Sequence, residues 1–271
     1  MTATPVQQWL HDAHSLVVKV GSSLLVGETP GVRKGWLVTV ADDLQHFLHA
    51  GKRLTIVTSG AVGLGTPVLG VSRHAMTLAD KQAAAAAGQP LVLQAWQQAF
   101  GLFDIPVAQV LLTPRDTEVD KRRDNARATL DTLAQRGVVA VINENDTVAT
   151  EELRYGDNDQ LAARVAELIG ADLLVLLSDV DGLYDRDPRA HTDATHIESV
   201  TDLAATIAAL APAAQSALGT GGMHSKLLAA QRAREAAIAC VISAGTESHP
   251  IAALQNGARC SWFGEVAAHD G

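Results

Sequence analysis

The chain has 271 residues, of which 47% are hydrophobic, and its formal net charge is −9 at pH 7. This size allows one large domain or two small ones with a substantial core. The acidic balance argues against a nucleic-acid-binding surface but is compatible with a small anion site. There is no apolar run of transmembrane length and no secretion-signal pattern at the start, so we expect a soluble, cytoplasmic protein that binds no membrane.

Short apolar runs alternate with longer segments of helical periodicity along the chain. Six runs are too short for helices and are predicted as buried parallel strands: 15–20, 53–58, 107–112, 138–142, 173–177 and 239–243. The helical segments between and after them are 35–51, 78–100, 122–137, 157–170 and 227–237. This alternation predicts an α/β fold, a three-layer sandwich with a mainly parallel central sheet.

Some residues of types that often bind metals or act in catalysis are expected to have no such role here. His11 and His14 have HxxH spacing, but they stand in a predicted N-terminal tail without partner ligands, so we expect them to be solvated. Cys240 and Cys260 have neither CxxC nor metal-site spacing and are expected to be ordinary buried thiols. The polar segment 186–202 is either a surface excursion or a seam between two lobes.

The first strand contains a lysine and ends in a glycine-containing turn. Lys19 is costly inside an apolar strand unless its ammonium meets an anion at the strand end; the alternative is that it reaches solvent at a sheet edge. Gly21, Ser22 and Ser23 follow and would offer backbone N–H groups to a phosphate. Because ligands of open α/β sheets bind at the carboxyl ends of strands, this turn is a candidate anion site.

The second strand is followed by Ser59 and the glycines Gly60, Gly63 and Gly65. Their GxxGxG order reverses the dinucleotide fingerprint, so we do not expect a nicotinamide cofactor. The glycines either allow close approach of the backbone to a ligand or form a tight turn between strand and helix, and this stretch alone does not decide between the two.

Acidic residues follow the next strands: Glu144, Asp146, Asp157, Asp159, Asp179 and Asp181. Asp157, Asn158 and Asp159 could cap the following helix, but one residue suffices for a cap. The remaining groups could coordinate Mg²⁺ or orient lysines. Four strand ends thus have Gly, Ser, Asn or Asp, which predicts one polar site at that edge of the sheet.

The segment "GTGGMHSK", residues 219–226, precedes a predicted helix. A Walker A loop has Lys before Ser or Thr, whereas here Ser225 precedes Lys226, so the segment is predicted to be a phosphate loop of another kind. Its glycines would admit phosphates and the helix would present its positive end to them.

Seven motifs in order, "VVKVGSS", "VTSGAVGLG", "KQAAAAAGQ", "INENDTVA", "GDND", "DVDGLY" and "GTGGMHSK", give the chain a family resemblance. From about Leu16 to Phe263 it resembles the glutamate 5-kinases of the amino acid kinase family. The first and last motifs are shared across that family, while "INEND" followed by "GDND" points to the glutamate enzymes. The resemblance implies the amino acid kinase (carbamate kinase-like) fold and a site divided between an acceptor and a nucleotide.

The resemblance also implies roles for individual residues. Lys19, Lys226 and Asp159 match the catalytic positions, the aspartate holding the two lysines. The glutamate-binding positions match Ser59, Asp146 and Asn158. The ATP-binding positions match Lys19, Gly21, Ser178, Asp179, Thr220, Gly221, Gly222, Met223, His224, Ser225 and Lys226. Ser225 stands where the family more often has Thr and keeps the hydroxyl, and His224 has no assigned role.

The implied reaction is ATP-dependent phosphorylation of the γ-carboxylate of L-glutamate to L-glutamyl 5-phosphate, the first step of proline biosynthesis, with Mg²⁺ as cofactor. Proline is the implied feedback inhibitor, and a homo-dimer or tetramer is the implied assembly. We expect a single kinase domain over 1–271, with a substrate lobe over about 1–170, a nucleotide lobe over about 171–271 and no C-terminal PUA domain. Alternatives are another acceptor (aspartate, N-acetylglutamate, carbamate or UMP) or a non-catalytic sensor of amino acid and nucleotide.

Overall fold

The computed structural model describes residues 3–27, 31–71, 76–148, 158–200, 202–203, 205–207 and 222–264. Its strands are β1 (Ser15–Val20), β2 (Arg53–Thr58), β3 (Val107–Leu112), β4 (Val139–Glu144), β5 (Leu173–Ser178), β6 (Leu183–Tyr184), β7 (His196–Ile197), β8 (Ala239–Ala244) and β9 (Cys260–Phe263). Its helices are α1 (Pro5–Asp12), α2 (Ser22–Leu25), α3 (Lys34–His49), α4 (Ala61–Leu69), α5 (Leu78–Gly101), α6 (Pro114–Glu118), α7 (Asp120–Gln135), α8 (Asn158–Ile169), α9 (Met223–Glu235) and α10 (Pro250–Gln255).

A seven-stranded sheet in the order β3-β4-β2-β1-β5-β8-β9 forms the centre of the protein. All neighbouring strands pair in parallel except β9, which runs antiparallel to β8. The six predicted strands are present, within two residues of the predicted bounds. The predicted α/β fold with a mainly parallel sheet is confirmed.

The apolar strands are explained by burial on both faces of the sheet. Along β1, Leu16, Val18 and Val20 join a core cluster with α3, α4 and α5. Val17 points the other way, into a second cluster with α8 and α9. Successive side chains of a strand alternate between faces, so a strand with helices on both sides needs apolar residues throughout.

The edge strand β3 departs from the prediction of full burial. Of its six residues only Leu112 is buried, and the other five are partly exposed. It pairs with β4 on one side and lies at the end of the sheet. A strand at the edge of a sheet is partly exposed even when it is apolar. The residue composition of β3 did not reveal that it would lie at the edge.

The N-terminal segment is a helix, so the prediction of a tail was wrong. Thr4 forms a capping box with Gln7, and Val6 and Leu10 of α1 are buried. The Thr-x-x-Gln pattern before apolar residues is the signal that indicates such a helix. His11 and His14 are exposed, as expected.

Two further expectations are settled by the fold. Residues 186–200 form a mostly exposed excursion that begins after β6 and returns through β7, and these two strands pair antiparallel. Both cysteines are buried and free, and burial raises the pKa of the Cys260 thiol to about 11. The division into lobes near residue 170 stays a prediction.

Among the described helices, none combines the length and the apolar character needed to cross a membrane.

Helices α4 and α5 pack so closely that their contact needs two glycines. A Cβ on Gly65 would lie 1.7 Å from the carbonyl oxygen of Ala84, and one on Gly88 would lie 1.8 Å from that of Ala61. Gly65 is therefore explained by packing between helices, not by approach of a ligand. Gly60 serves the turn before α4, with φ of 100°.

We predict that Gly65→Ala destabilises the protein by about 3 kcal/mol or more, because the helices must separate to admit the methyl group. Denaturant unfolding monitored by circular dichroism measures the change. Gly35→Ala is the matched control: Gly35 is also helical and exposed, with no atom within 4 Å of an added Cβ. It should be neutral or stabilising by up to about 1 kcal/mol. Equal effects of the two substitutions would contradict the packing explanation.

Candidate active site

A cleft of about 570 Å³ opens at the carboxyl ends of the central parallel strands. It lies where the chain order of the sheet changes direction, since β2 and β4 are on one side of β1 and β5 and β8 on the other. Such switch points are the usual ligand sites of open α/β sheets. The residues that line it are Lys19, Gly21, Ser22, Ser23, Ser59, Gly60, Ala61, Val62, Gly63, Met76, Lys81, Asn143, Glu144, Asp146, Asn158, Leu177, Ser178, Asp179 and Lys226.

Two lysines meet one carboxylate at the base of the cleft. Lys19 Nζ lies 2.6 Å from Asp159 Oδ1, and Lys226 Nζ lies 2.9 Å from Asp159 Oδ2. The Asp159 side chain is fully buried, while the two lysine side chains are 6% and 7% exposed. Lys19 therefore meets an anion and does not reach out at a sheet edge, since β1 is the central strand.

Three separate elements bring these groups together. Lys19 is the penultimate residue of β1, Asp159 is the second residue of α8, and Lys226 is the fourth residue of α9. An aspartate in the first turn of a helix is favoured by the helix dipole. The apolar faces of α8 and α9 pack in the same core cluster, which fixes the separation of the two charged side chains.

The electrostatics of this group keep Asp159 ionised. Burial alone would raise the pKa of its carboxyl, but the nearby ammonium groups of Lys19 and Lys226 outweigh burial and hold the pKa below its ordinary value. Within this group, two cations beside one anion leave a local excess of one positive charge. The arrangement can therefore bind and stabilise an anion with several oxygens.

Amide and hydroxyl groups, together with two carboxylates, occupy the side of the cleft formed by β2 and β4. Asn158 Nδ2 donates to the Thr58 carbonyl at 2.7 Å, to Ser59 Oγ at 2.8 Å and to Asn143 Oδ1 at 2.8 Å. Asp146 follows β4 and also lines the cleft. The structure thus brings the three predicted acceptor residues, Ser59, Asp146 and Asn158, into one region.

The side of the cleft formed by β1 and β5 contains the strand-end residues predicted for nucleotide. Ser178 Oγ donates to Asp179 Oδ1 at 3.2 Å, and the Ser178 carbonyl accepts from the Gly245 N–H at 2.7 Å. A Cβ on Gly21 would lie 3.7 Å from Lys19 Nζ, so glycine keeps that side of the ammonium open.

Only part of the predicted phosphate loop is described. Thr220 and Gly221 lie outside the described residues, as does Asp157, while Gly222 is the N-cap of α9. Lys226 lines the cleft, whereas Gly222, Met223, His224 and Ser225 are not among its lining residues. Ser225 Oγ is buried and has no hydrogen-bond partner within the described part of the chain, and His224 is exposed. The nucleotide-binding role of this segment stays a prediction.

Some residues of the cleft and its support were not singled out from the sequence. Lys81 lines the cleft from the first turn of α5, and Asn143 lines it from β4. Gln89 lies behind them, and its Oε1 accepts from Asn143 Nδ2 at 2.9 Å. Two features of the sequence could have indicated these residues. One is the pair of polar positions that flank the alanine run in "KQAAAAAGQ", and the other is the asparagine near the end of a buried strand.

Comparison with known proteins agrees with this fold. The model of the amino acid kinase family matches residues 15–243. Over 252 residues the chain is 51% identical to a glutamate 5-kinase of Caulobacter vibrioides, covering 92% of this chain and 67% of that protein. Over 250 residues it is 46% identical to a glutamate 5-kinase of Agrobacterium fabrum, covering 92% of this chain and 64% of that protein. The chain thus spans about two thirds of the length of these relatives.

A solved structure shows the same fold at low sequence identity. The carbamate kinase from Giardia lamblia bound to AMP-PNP superposes with a TM-score of 0.65 at 14% identity, covering 94% of this chain and 99% of that one. The family match spans most of the chain, including the ends of β1, β2, β4 and β5, which form the cleft. By these matches the chain belongs to the amino acid kinase family.

Proposed function

We propose that the protein transfers the γ-phosphoryl group of ATP to the γ-carboxylate of L-glutamate, giving L-glutamyl 5-phosphate and ADP, the first step of proline biosynthesis. The observation that supports this most directly is the pair of buried lysines held by Asp159 at the base of a polar cleft. The choice of L-glutamate as the acceptor rests on the relatives that are named glutamate 5-kinase.

The chemistry requires positive charge and positioning more than a proton acceptor. A glutamate γ-carboxylate is already ionised at neutral pH, so attack on phosphorus needs no general base. Bringing this anion to the γ-phosphate is opposed by charge repulsion, and the transition state spreads negative charge over the equatorial oxygens. Lys19 and Lys226 stabilise that charge from two directions, and Asp159 acts by holding both ammonium groups in position.

The nucleotide lies on the β5 side in this proposal. The N-terminus of α9 directs backbone N–H groups and the positive end of its dipole towards the phosphates. Gly21 leaves room beside Lys19, and Ser178 and Asp179 contact the nucleotide from the end of β5. Lys226 lines this side, and the family resemblance adds the segment from Thr220 to Ser225, of which Thr220 and Gly221 lie outside the described residues.

The acceptor lies on the β2 and β4 side. Asp146 pairs with the substrate ammonium, while Ser59 and Asn158 hydrogen-bond its polar groups. This placement puts the γ-carboxylate between the acceptor pocket and the lysines, in line with the phosphoryl group.

Mg²⁺ is the expected cofactor of the nucleotide. Among the described residues no group of three His, Cys, Asp or Glu side chains could form a metal cage. In this proposal Mg²⁺ would be bound mainly through ATP phosphates and water, with Asp179 as a carboxylate of the cleft. When bound, it would neutralise phosphate charge during transfer. Feedback inhibition by proline and assembly as a dimer or tetramer stay predictions from the family resemblance.

We predict that ATP and Mg²⁺ with L-glutamate and hydroxylamine yield γ-glutamyl hydroxamate, because hydroxylamine traps an acyl phosphate. Colorimetric detection of the hydroxamate with iron measures the acyl-phosphate product, and release of ADP measures turnover with every acceptor, including UMP, whose product hydroxylamine does not trap. Aspartate, N-acetylglutamate, carbamate, UMP and no acceptor are run in parallel. Turnover with another acceptor only would overturn the glutamate assignment, and nucleotide binding without any turnover would favour a sensor.

We predict that Lys226→Ala lowers kcat for L-glutamate by about 10²–10³, the usual effect of removing one preorganised group that stabilises transition-state charge. Steady-state kinetics measure the change, and circular dichroism checks the fold. Lys121→Ala, which removes an exposed lysine of α7, is the control and should leave kcat unchanged. A nearly unchanged kcat for Lys226→Ala would disprove the role given to this lysine.

A further inference from the structure

Behind the acceptor side of the cleft lies a chain of buried amide side chains. Gln89 of α5 accepts from Asn143, and Asn143 in turn accepts from Asn158 at the cleft wall. Gln89 and Asn143 are only 9% and 2% exposed. The three side chains come from a helix, a strand end and a second helix, so the contacts are not a by-product of one local turn.

The backbone determines which way each amide faces. The Glu144 N–H donates to the Asn143 side chain at 2.9 Å, so the atom it meets must be the oxygen, Oδ1. The amide nitrogen of Asn143 then faces Gln89, whose oxygen accepts from it. The Thr58 carbonyl lies 2.7 Å from the Asn158 side chain and must meet its nitrogen, Nδ2.

This network uses up the donors of Asn158. Its two N–H bonds face three acceptors, the Thr58 carbonyl, Ser59 Oγ and Asn143 Oδ1. The Oδ1 atom of Asn158 has no hydrogen bond within the described part of the chain, so the amide offers only an acceptor to a ligand. Asp146 and Glu144 also line the cleft.

We infer that Gln89 is a positioning residue: through Asn143 it fixes Asn158 so that its Oδ1, together with Asp146, forms a pocket for a primary ammonium group. Such a pocket selects an amino acid with a free α-amino group. An N-acylated amino acid has lost two of the three N–H donors and the positive charge, so it satisfies the pocket poorly. Ser59 accepts from Asn158, which leaves its own hydroxyl proton to donate to a substrate carboxylate.

This inference rests on the proposed function, and its test compares L-glutamate with glutarate, which has both carboxylates but no amino group. Gln89→Met removes the acceptor at nearly constant volume and leaves the buried Asn143 nitrogen without its partner. The amide can regain a partner only by rotating away from Asn158. We expect KM for L-glutamate to rise about tenfold, the equivalent of one buried hydrogen bond, with kcat little changed.

Glutarate and a conservative variant separate positioning from general damage. KM for glutarate should stay within about twofold in Gln89→Met, because the ammonium pocket does not act on it. Gln89→Glu keeps an oxygen facing Asn143 in either protonation state and should retain the preference for L-glutamate. A parallel loss with both substrates, no change with either, or a wild-type enzyme that does not prefer L-glutamate to glutarate would overturn the inference.

A measurement without turnover distinguishes failure of this inference from failure of the proposed function. The chain has five asparagines, so ¹⁵N-asparagine labelling gives few side-chain NH₂ signals, which single substitutions assign. The NH₂ groups of Asn143 and Asn158 should exchange slowly with deuterium, and that of Asn143 should lose its protection in Gln89→Met. Fast exchange of both groups in the wild type would refute the network itself. Intact protection with no phosphorylation of L-glutamate would refute the proposed function alone. If Gln89→Met does not fold, Gln89→Asn, whose shorter side chain cannot reach Asn143, replaces it in both assays.

Discussion

The fully buried carboxylate of Asp159 is the constraint on which the site depends, because an unpaired charge at that depth would be too costly to keep. It stays ionised because Lys19 and Lys226 approach its two oxygens within 2.9 Å. The dependence is mutual, since each nearly buried lysine also needs an anion. Removing one member of such a buried pair usually costs 3–5 kcal/mol, so the charges and the fold stabilise each other. The position of α9 relative to the central strand is therefore linked to the geometry that a phosphoryl group would meet.

The architecture explains why the chemistry is concentrated at one edge of the sheet. Helices cover both faces of the central strands, so a polar side chain pointing to either face would be buried without water. Among the residues of the strands, only those at the strand ends reach the cleft. Lys19 is the penultimate residue of β1, so its aliphatic chain lies among apolar strand neighbours while its ammonium reaches Asp159 at the base of the cleft. The close packing of α4 against α5 at their two glycines also supports the cleft. It keeps the helices behind the acceptor side close to β2 and β4.

Much of the fold followed from the sequence because its signals are local. Apolar runs bounded by polar residues located the six parallel strands, and the residues after those runs located the cleft. Features that depend on neighbours in space were not predicted from the sequence. The exposure of β3 depends on its place at the sheet edge, and Gly65 is explained by the carbonyl of Ala84, nineteen positions away. Helix α1 was not predicted although its capping pattern was visible. Its apolar face is short, and its burial becomes evident only when the helix is packed in the fold. Gln89 could not be assigned a function from the sequence, since its partner Asn143 is distant along the chain.

The two sides of the cleft solve different physical problems, and their residue types differ accordingly. On the nucleotide side, fixed ionic charges are needed, because the group transferred in the proposed reaction is itself highly charged and its transition state gains from nearby cations. On the acceptor side, added positive charge would hold the substrate carboxylate and lower its reactivity, and added negative charge would repel it. A network of neutral amides avoids both effects: it fixes directions of hydrogen bonding while contributing little net potential. The carboxylates Glu144 and Asp146 also line the cleft, and in the proposed function Asp146 attracts the substrate ammonium group. The neutral amides that orient the acceptor thus lie beside the ends of β2 and β4, and the ions that stabilise transfer meet at the end of β1.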